Sequence, residues 1–128
     1  MSTININETM NRWLSSFSEE SSHSICSLYD EQASLWGTLS PTKRDNTDQI
    51  KYYFDQIFKY KNRYIELNNS NIRLYGDMAI CNGIYTFKWI NEGVKVTTVA
   101  RFSFVYINKG DRWLIVEHHS SAIPEVSK

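Results

Sequence analysis

The sequence predicts an α+β chain, with three N-terminal helices packed against a strongly curved, mainly antiparallel β-sheet. Two observations predict it. Every segment with helical periodicity precedes Asn62, and the remainder consists of β-branched and aromatic runs separated by short turns rich in Gly, Asn and Asp. The length is a third. A chain of 128 residues, 41% hydrophobic, with four Trp, eight Tyr and six Phe, has enough apolar surface for one core. The reading is therefore a single domain spanning residues 1–128, with its core at about 6–124.

Met10, Trp13, Leu14 and Phe17 follow the i, i+3, i+4, i+7 spacing of one helical stripe, which predicts the first helix over residues 6–19. Ser21 or Ser22 can cap a short second helix, where Ile25, Leu28 and Tyr29 repeat the pattern. Ala33 to Leu39 reads as a strand, and the Pro41 and Asx residues after it read as a loop. Asn46 or Thr47 then caps a third helix with Ile50, Tyr53, Phe54, Ile57 and Phe58 on one face, ending near Lys61 and Asn62. Four strands follow, Tyr64 to Tyr75, Met78 to Ile90, Val94 to Ile107 and Arg112 to Ser121. Their tight connections make an antiparallel meander.

Alternation splits the third of these long strands into two faces. Val99, Arg101, Ser103, Val105 and Ile107 point one way, and Ala100, Phe102, Phe104 and Tyr106 the other. Both are substantially apolar, and helices cover only one side of a sheet. Phe102, Phe104 and Tyr106 are read as the outer face, covered by a second copy of the chain.

Fourteen basic and fourteen acidic side chains cancel, leaving no broad field to hold nucleic acid or an anionic membrane. The N-terminal residues carry neither a basic segment nor an apolar one of export-signal type, so a soluble, cytoplasmic protein is expected. Cys26 and Cys81 show no metal-ligand or redox spacing, and neither disulfide nor zinc is expected. There is no phosphate-binding loop, dinucleotide fingerprint or nucleophile elbow, and no cofactor is expected.

Arg101 is the first candidate for chemistry, because a guanidinium in mid-strand between apolar neighbours needs an anion. Either a pocket accepts a small carboxylate there, or Glu117 or Glu66 pairs with it internally. His118 and His119 are adjacent in a strand and point to opposite faces, so they cannot chelate one metal ion together. His23 reads as a solvated surface residue. Tyr53 and Tyr85 are either pocket contacts or core residues with a hydrated hydroxyl.

The segments IKYYF (Ile50 to Phe54), IRLYGDMA (Ile72 to Ala79), GIYTF (Gly83 to Phe87), ARFSFVY (Ala100 to Tyr106) and WLIVEHHSSAIP (Trp113 to Pro124) occur in family order. With Leu28-Tyr29 and Gly37 to Ser40, they make the chain resemble a bacterial family similar to the association (hub) domain of calcium/calmodulin-dependent protein kinase II. That domain belongs to the nuclear-transport-factor-2-like superfamily, which also holds SnoaL-like cyclases and ketosteroid isomerase. The resemblance implies a cone, a bent sheet wrapped around three helices. It departs from the family at Glu19 to Ser22, where a Gly-Asp turn is usual, and no kinase loop is present.

The resemblance further implies that Arg101 lines a deep cavity accepting small carboxylates, while Tyr85 and Ser120 stand where the hub has two further cavity arginines. With Tyr53 at the cone mouth and His118 sharing the face of Ser120 by alternation, the expected ligand-binding set is Tyr53, Tyr85, Arg101, Ser103, His118 and Ser120. Glu117 and His119 then join Phe102, Phe104 and Tyr106 at a self-association interface. The expected function is a homo-oligomerising domain that binds a small anion and has no kinase activity. The alternative is a SnoaL-like enzyme in which His118 carries the proton, although no carboxylate base is evident on the inner strand faces.

Overall fold

The computed structural model describes residues 5–124; the outermost residues of the expected 1–128 domain lie outside the described residues. Helix α1 (Ile6–Ser16) is capped by the Asn5 side chain, which accepts from the Asn7 N–H. Trp13 and Met10 lie on its buried stripe. Helix α2 (His23–Cys26) is a single turn. Tyr29, expected on that helix, instead opens strand β1 (Tyr29–Trp36), because the backbone N–H of Ile115 pairs with the Leu28 carbonyl and draws the chain into the sheet. Strand β2 (Lys43–Arg44) was not foreseen in the loop and pairs with the end of β1. Helix α3 (Thr47–Ile57) starts at the expected cap, with Asn46 accepting from the Gln49 N–H. It ends a turn earlier than expected. Arg63 lies over the Phe58 ring and donates to the carbonyls of Phe58, Tyr60 and Glu19, which ties the end of α3 to the end of the first helical segment.

The meander follows as β3 (Lys61–Tyr75), β4 (Met78–Asn91), β5 (Val94–Asn108) and β6 (Trp113–Ala122). Glu92 and Gly93 both have positive φ at the β4–β5 turn, the two-residue geometry that matches strand twist. The strand order is β2-β1-β6-β5-β4-β3, and every pairing is antiparallel except β1 with β6. Register shifts in β1, β3 and β5–β6 bend the sheet around the helices. No helix among the described residues is long and apolar enough to cross a membrane.

The concave face and the helices share one aromatic core. Phe102, Phe104 and Tyr106 are each at most 3% exposed and point inward, the reverse of the expected outer placement. Cross-strand pairing explains it. Phe104 lies opposite His118 and Phe102 opposite Ser120, and directly opposed residues share a face. With these three rings inside, Arg101 and Ser103 are outside and exposed.

Candidate functional site

Two places bring the candidate residues together. The first is inside the cone, where α1 delivers Trp13, the start of β1 delivers Tyr29, and β4 and β6 deliver Tyr85 and His118. The Trp13 indole N–H donates to Tyr29 Oη at 3.1 Å, and Tyr29 Oη is 2.7 Å from His118 Nδ1. On the other side of the ring, His118 Nε2 is 3.1 Å from Tyr85 Oη. Indole is a donor only, so the arrangement that uses each donor once runs in one direction. Trp13 gives to Tyr29, Tyr29 gives to Nδ1, and the Nε2–H gives to Tyr85. The Ser120 and Thr38 side chains also face the Tyr85 hydroxyl and bond to each other.

Rings fill the space around this chain. His118 stacks on Phe104 at 4.0 Å, and Tyr85 is stacked between Trp13 at 5.3 Å and Phe102 at 4.5 Å. Burial holds the His118 imidazole neutral, with its pKa lowered to about 3 by desolvation and, secondarily, by the neighbouring His119. The tyrosines are pushed upward by the same desolvation. Neutral imidazole satisfied at both nitrogens is a structural connector between strands; as placed, it has no free lone pair to take a proton from a substrate.

Tyr53 sits apart from this cluster, at the rim of the cone. Its hydroxyl accepts from the Leu39 N–H at 3.4 Å, and burial raises its pKa to about 12. Its ring lies against Gly37, where an added Cβ would stand 2.1 Å from Tyr53 Cζ. Only glycine permits this approach. Gly37→Ala is expected to lower stability by about 1–3 kcal/mol through displacement of the ring. An unchanged urea midpoint would show that Tyr53 is free to move.

The second place is the outer face of the sheet. Successive rows there read Trp36, His119, Ser103 and Asn82, then Ser34, Glu117, Val105 and Ile80, with Arg101 beside Ile84 and Ser121. Arg101 forms no ion pair among the described residues, and neither Glu117 nor Glu66 approaches it; Glu66 instead pairs with Lys88 at 2.9 Å. The expected ligand set is therefore divided. Tyr85, His118 and Ser120 are inside, Tyr53 is at the rim, and Arg101 and Ser103 are on the far side of the sheet. Sequence reasoning missed Trp13 and Tyr29 as partners of His118, although Trp13 on the α1 stripe was a visible core residue carrying an N–H that needs an acceptor.

Helices enclosed by one bent sheet, closed by the parallel β1–β6 pairing, define a cone of the nuclear-transport-factor-2-like class. Within that class the chain belongs to the calcium/calmodulin dependent protein kinase II association domain family, whose family model matches residues 3–124. A Xanthomonas campestris protein assigned to this association domain is 32% identical with a TM-score of 0.87, the match covering 94% of this chain and 87% of that one. A nuclear-transport-factor-2-like superfamily protein from Salmonella enterica serovar Typhimurium is 22% identical with a TM-score of 0.82, over 95% and 91% of the two chains. The association domain of the C. elegans kinase is 20% identical with a TM-score of 0.72, over 91% and 92%. No curated protein matches the sequence.

Proposed function

We propose that the chain is a self-associating domain and that two copies meet through the outer face of the sheet. One observation carries this reading. The face combines the half-buried Ile80, Ile84 and Val105 and the 41% exposed Trp36 with two opposite charges, Arg101 and Glu117, that have no ion-pair partner among the described residues. Membership of a family named for association supports it.

The charges make the face self-complementary. Arg101 lies across from Ser121, and Glu117 is four positions back along β6, one row beyond His119 on either side. A two-fold axis along the row of Trp36, His119 and Ser103 lays that row on itself and exchanges the rows on either side, so the Arg101 row of one copy meets the Glu117 row of the other, with Arg101 one strand away from Glu117. An isologous contact of this kind forms each pair twice. Apolar residues beneath supply the burial, and the charges set register. The corrected interface thus keeps Glu117 and His119 and replaces Phe102, Phe104 and Tyr106 by Arg101, Ser103, Val105 and Trp36.

Sedimentation velocity on the wild type should give at least a dimer at micromolar concentration. Arg101→Glu should weaken association tenfold or more, about 1.4 kcal/mol, and adding Glu117→Arg should restore it. A monomeric wild type, or a double variant no better than the single one, would overturn the reading.

A further inference from the structure

The outer face of the sheet carries an open hollow of about 250 Å³, beside the row on which the two copies are proposed to meet. Its corners are two directly opposed pairs, Arg101 with Ser121 and Ser103 with His119. Phe102, whose ring points inward, closes the floor with its backbone. The two serines are small and leave the space open, while a guanidinium and an imidazole occupy the other diagonal. No acidic side chain lines the hollow, and Arg101 has no ion pair among the described residues.

Charges reach His119 from several strands. On β6, Glu117 lies two positions back, across the row from the hollow, and on β5 Arg101 lies diagonally opposite. On β1 the neighbour is Trp36, its ring 6.5 Å from the imidazole, and beyond it Lys43 of β2 is paired with Asp45 at 3.2 Å. Asn82 of β4 is uncharged, and His118 faces the interior as neutral imidazole. In a separate copy, a proton on His119 therefore stands beside Arg101 at a hollow without an anion. Only the copy's own Glu117 offsets that repulsion.

Pairing changes this balance, on the reading that the rows exchange about the line of Trp36, His119 and Ser103. That axis lays the partner's Glu117 over Ser121, the corner of the hollow that adjoins both Arg101 and His119. A carboxylate there meets the guanidinium on one side and the imidazole on the other. Neutral imidazole offers it one N–H at most, whereas imidazolium adds a full charge. The hollows of the two copies lie on opposite sides of the axis, which draws the two His119 rings apart. We infer that self-association is coupled to proton uptake by His119, which completes the charge around the partner's Glu117 and tightens the pair as the pH falls from about 7.5 to about 5.5. The sign follows from linkage: the pair binds more protons than two separate copies, so lowering the pH favours the pair. The window closes near about pH 4–5, where carboxylates themselves become neutral.

Sedimentation velocity of the full chain at about pH 7.5 and about pH 5.5, at one ionic strength, tests this. The dissociation constant of the wild type should fall about tenfold on acidification, with circular dichroism confirming the same fold at both values. His119→Gln should associate with one strength at both, because it keeps hydrogen-bonding groups and takes up no proton. Glu117→Gln should associate more weakly and also lose the response, because no carboxylate then enters the hollow. The inference is overturned if the wild-type dissociation constant is unchanged or rises on acidification, or if either variant keeps the wild-type response. A dimer with a flat pH profile removes this inference and leaves the self-association reading standing. A chain that is monomeric at both values removes both.

Discussion

Acidification is expected to remove roughly 5 kcal/mol of stability through one side chain, His118, as the pH falls from 6.5 to about 3. The imidazole is 2% exposed, and desolvation is the first cause of its low pKa. In the folded protein it stays neutral down to about pH 3, whereas in the unfolded chain it takes up a proton near 6.5. Between those values the unfolded state binds one more proton, so stability rises with pH across the window and is flat in this respect above it. Each pH unit inside the window is worth about 1.4 kcal/mol. Urea titrations at pH 7 and pH 4.5 should therefore differ by roughly 2–3 kcal/mol more in the wild type than in His118→Gln, which keeps one donor and one acceptor and does not titrate. Carboxylates common to both proteins cancel in that comparison. Equal acid sensitivity in the two would mean that the ring is open to water or charged within the fold. Such a protein would regain a route to proton transfer at His118, which makes the same measurement a check on the enzyme alternative.

Much of the fold was legible because it rests on periodicity. Met10 and Trp13 on one stripe, Asn46 as a cap, and the Gly76-Asp77 and Glu92-Gly93 turns are local signals, and each lies where the sequence placed it. The site was less legible, since alternation along β5 yields two faces without saying which is inside. Arg101 between apolar neighbours looked like a buried charge, yet the same pattern describes a strand with one wet side. A decisive signal was present in the hairpin. His118 and Ser120 were assigned to the interior, and the short β5–β6 connection opposes them to Phe104 and Phe102. Those rings had to share the interior, which sends Arg101 out. The contacts of Arg44 lay beyond sequence reasoning altogether, because they form only when β2 pairs with β1 and brings the side chain to Ser40 and the Tyr53 ring.

Replacing Trp13 by alanine is expected to cost about 3–5 kcal/mol, the range for deleting a large buried aromatic side chain. The residue is 1% exposed and touches both halves of the molecule, stacking on Tyr85 of β4 and meeting Phe104 of β5 and His118 of β6 edge-on. Its loss would leave a void where α1 meets the concave sheet, and the rings around it are already held by their own stacks, which limits collapse. A chain of this size has roughly 5–15 kcal/mol in total, so Trp13→Ala should lie close to unfolding at 37 °C. Trp13→Phe separates packing from hydrogen bonding. It keeps most of the stacking area but removes the N–H that Tyr29 accepts, and it should cost about 1–2 kcal/mol for an unsatisfied buried acceptor. The Phe variant should also shift the proton chain, because Tyr29 without its donor holds His118 less firmly. In the double variant Trp13→Phe with Tyr29→Phe, both ends of that bond are apolar and only His118 Nδ1 is left without its donor, so the pair should cost less than the sum of the two single changes. Strict additivity of the two changes would show that the indole contributes through volume alone, with no hydrogen-bonded chain linking α1 to His118.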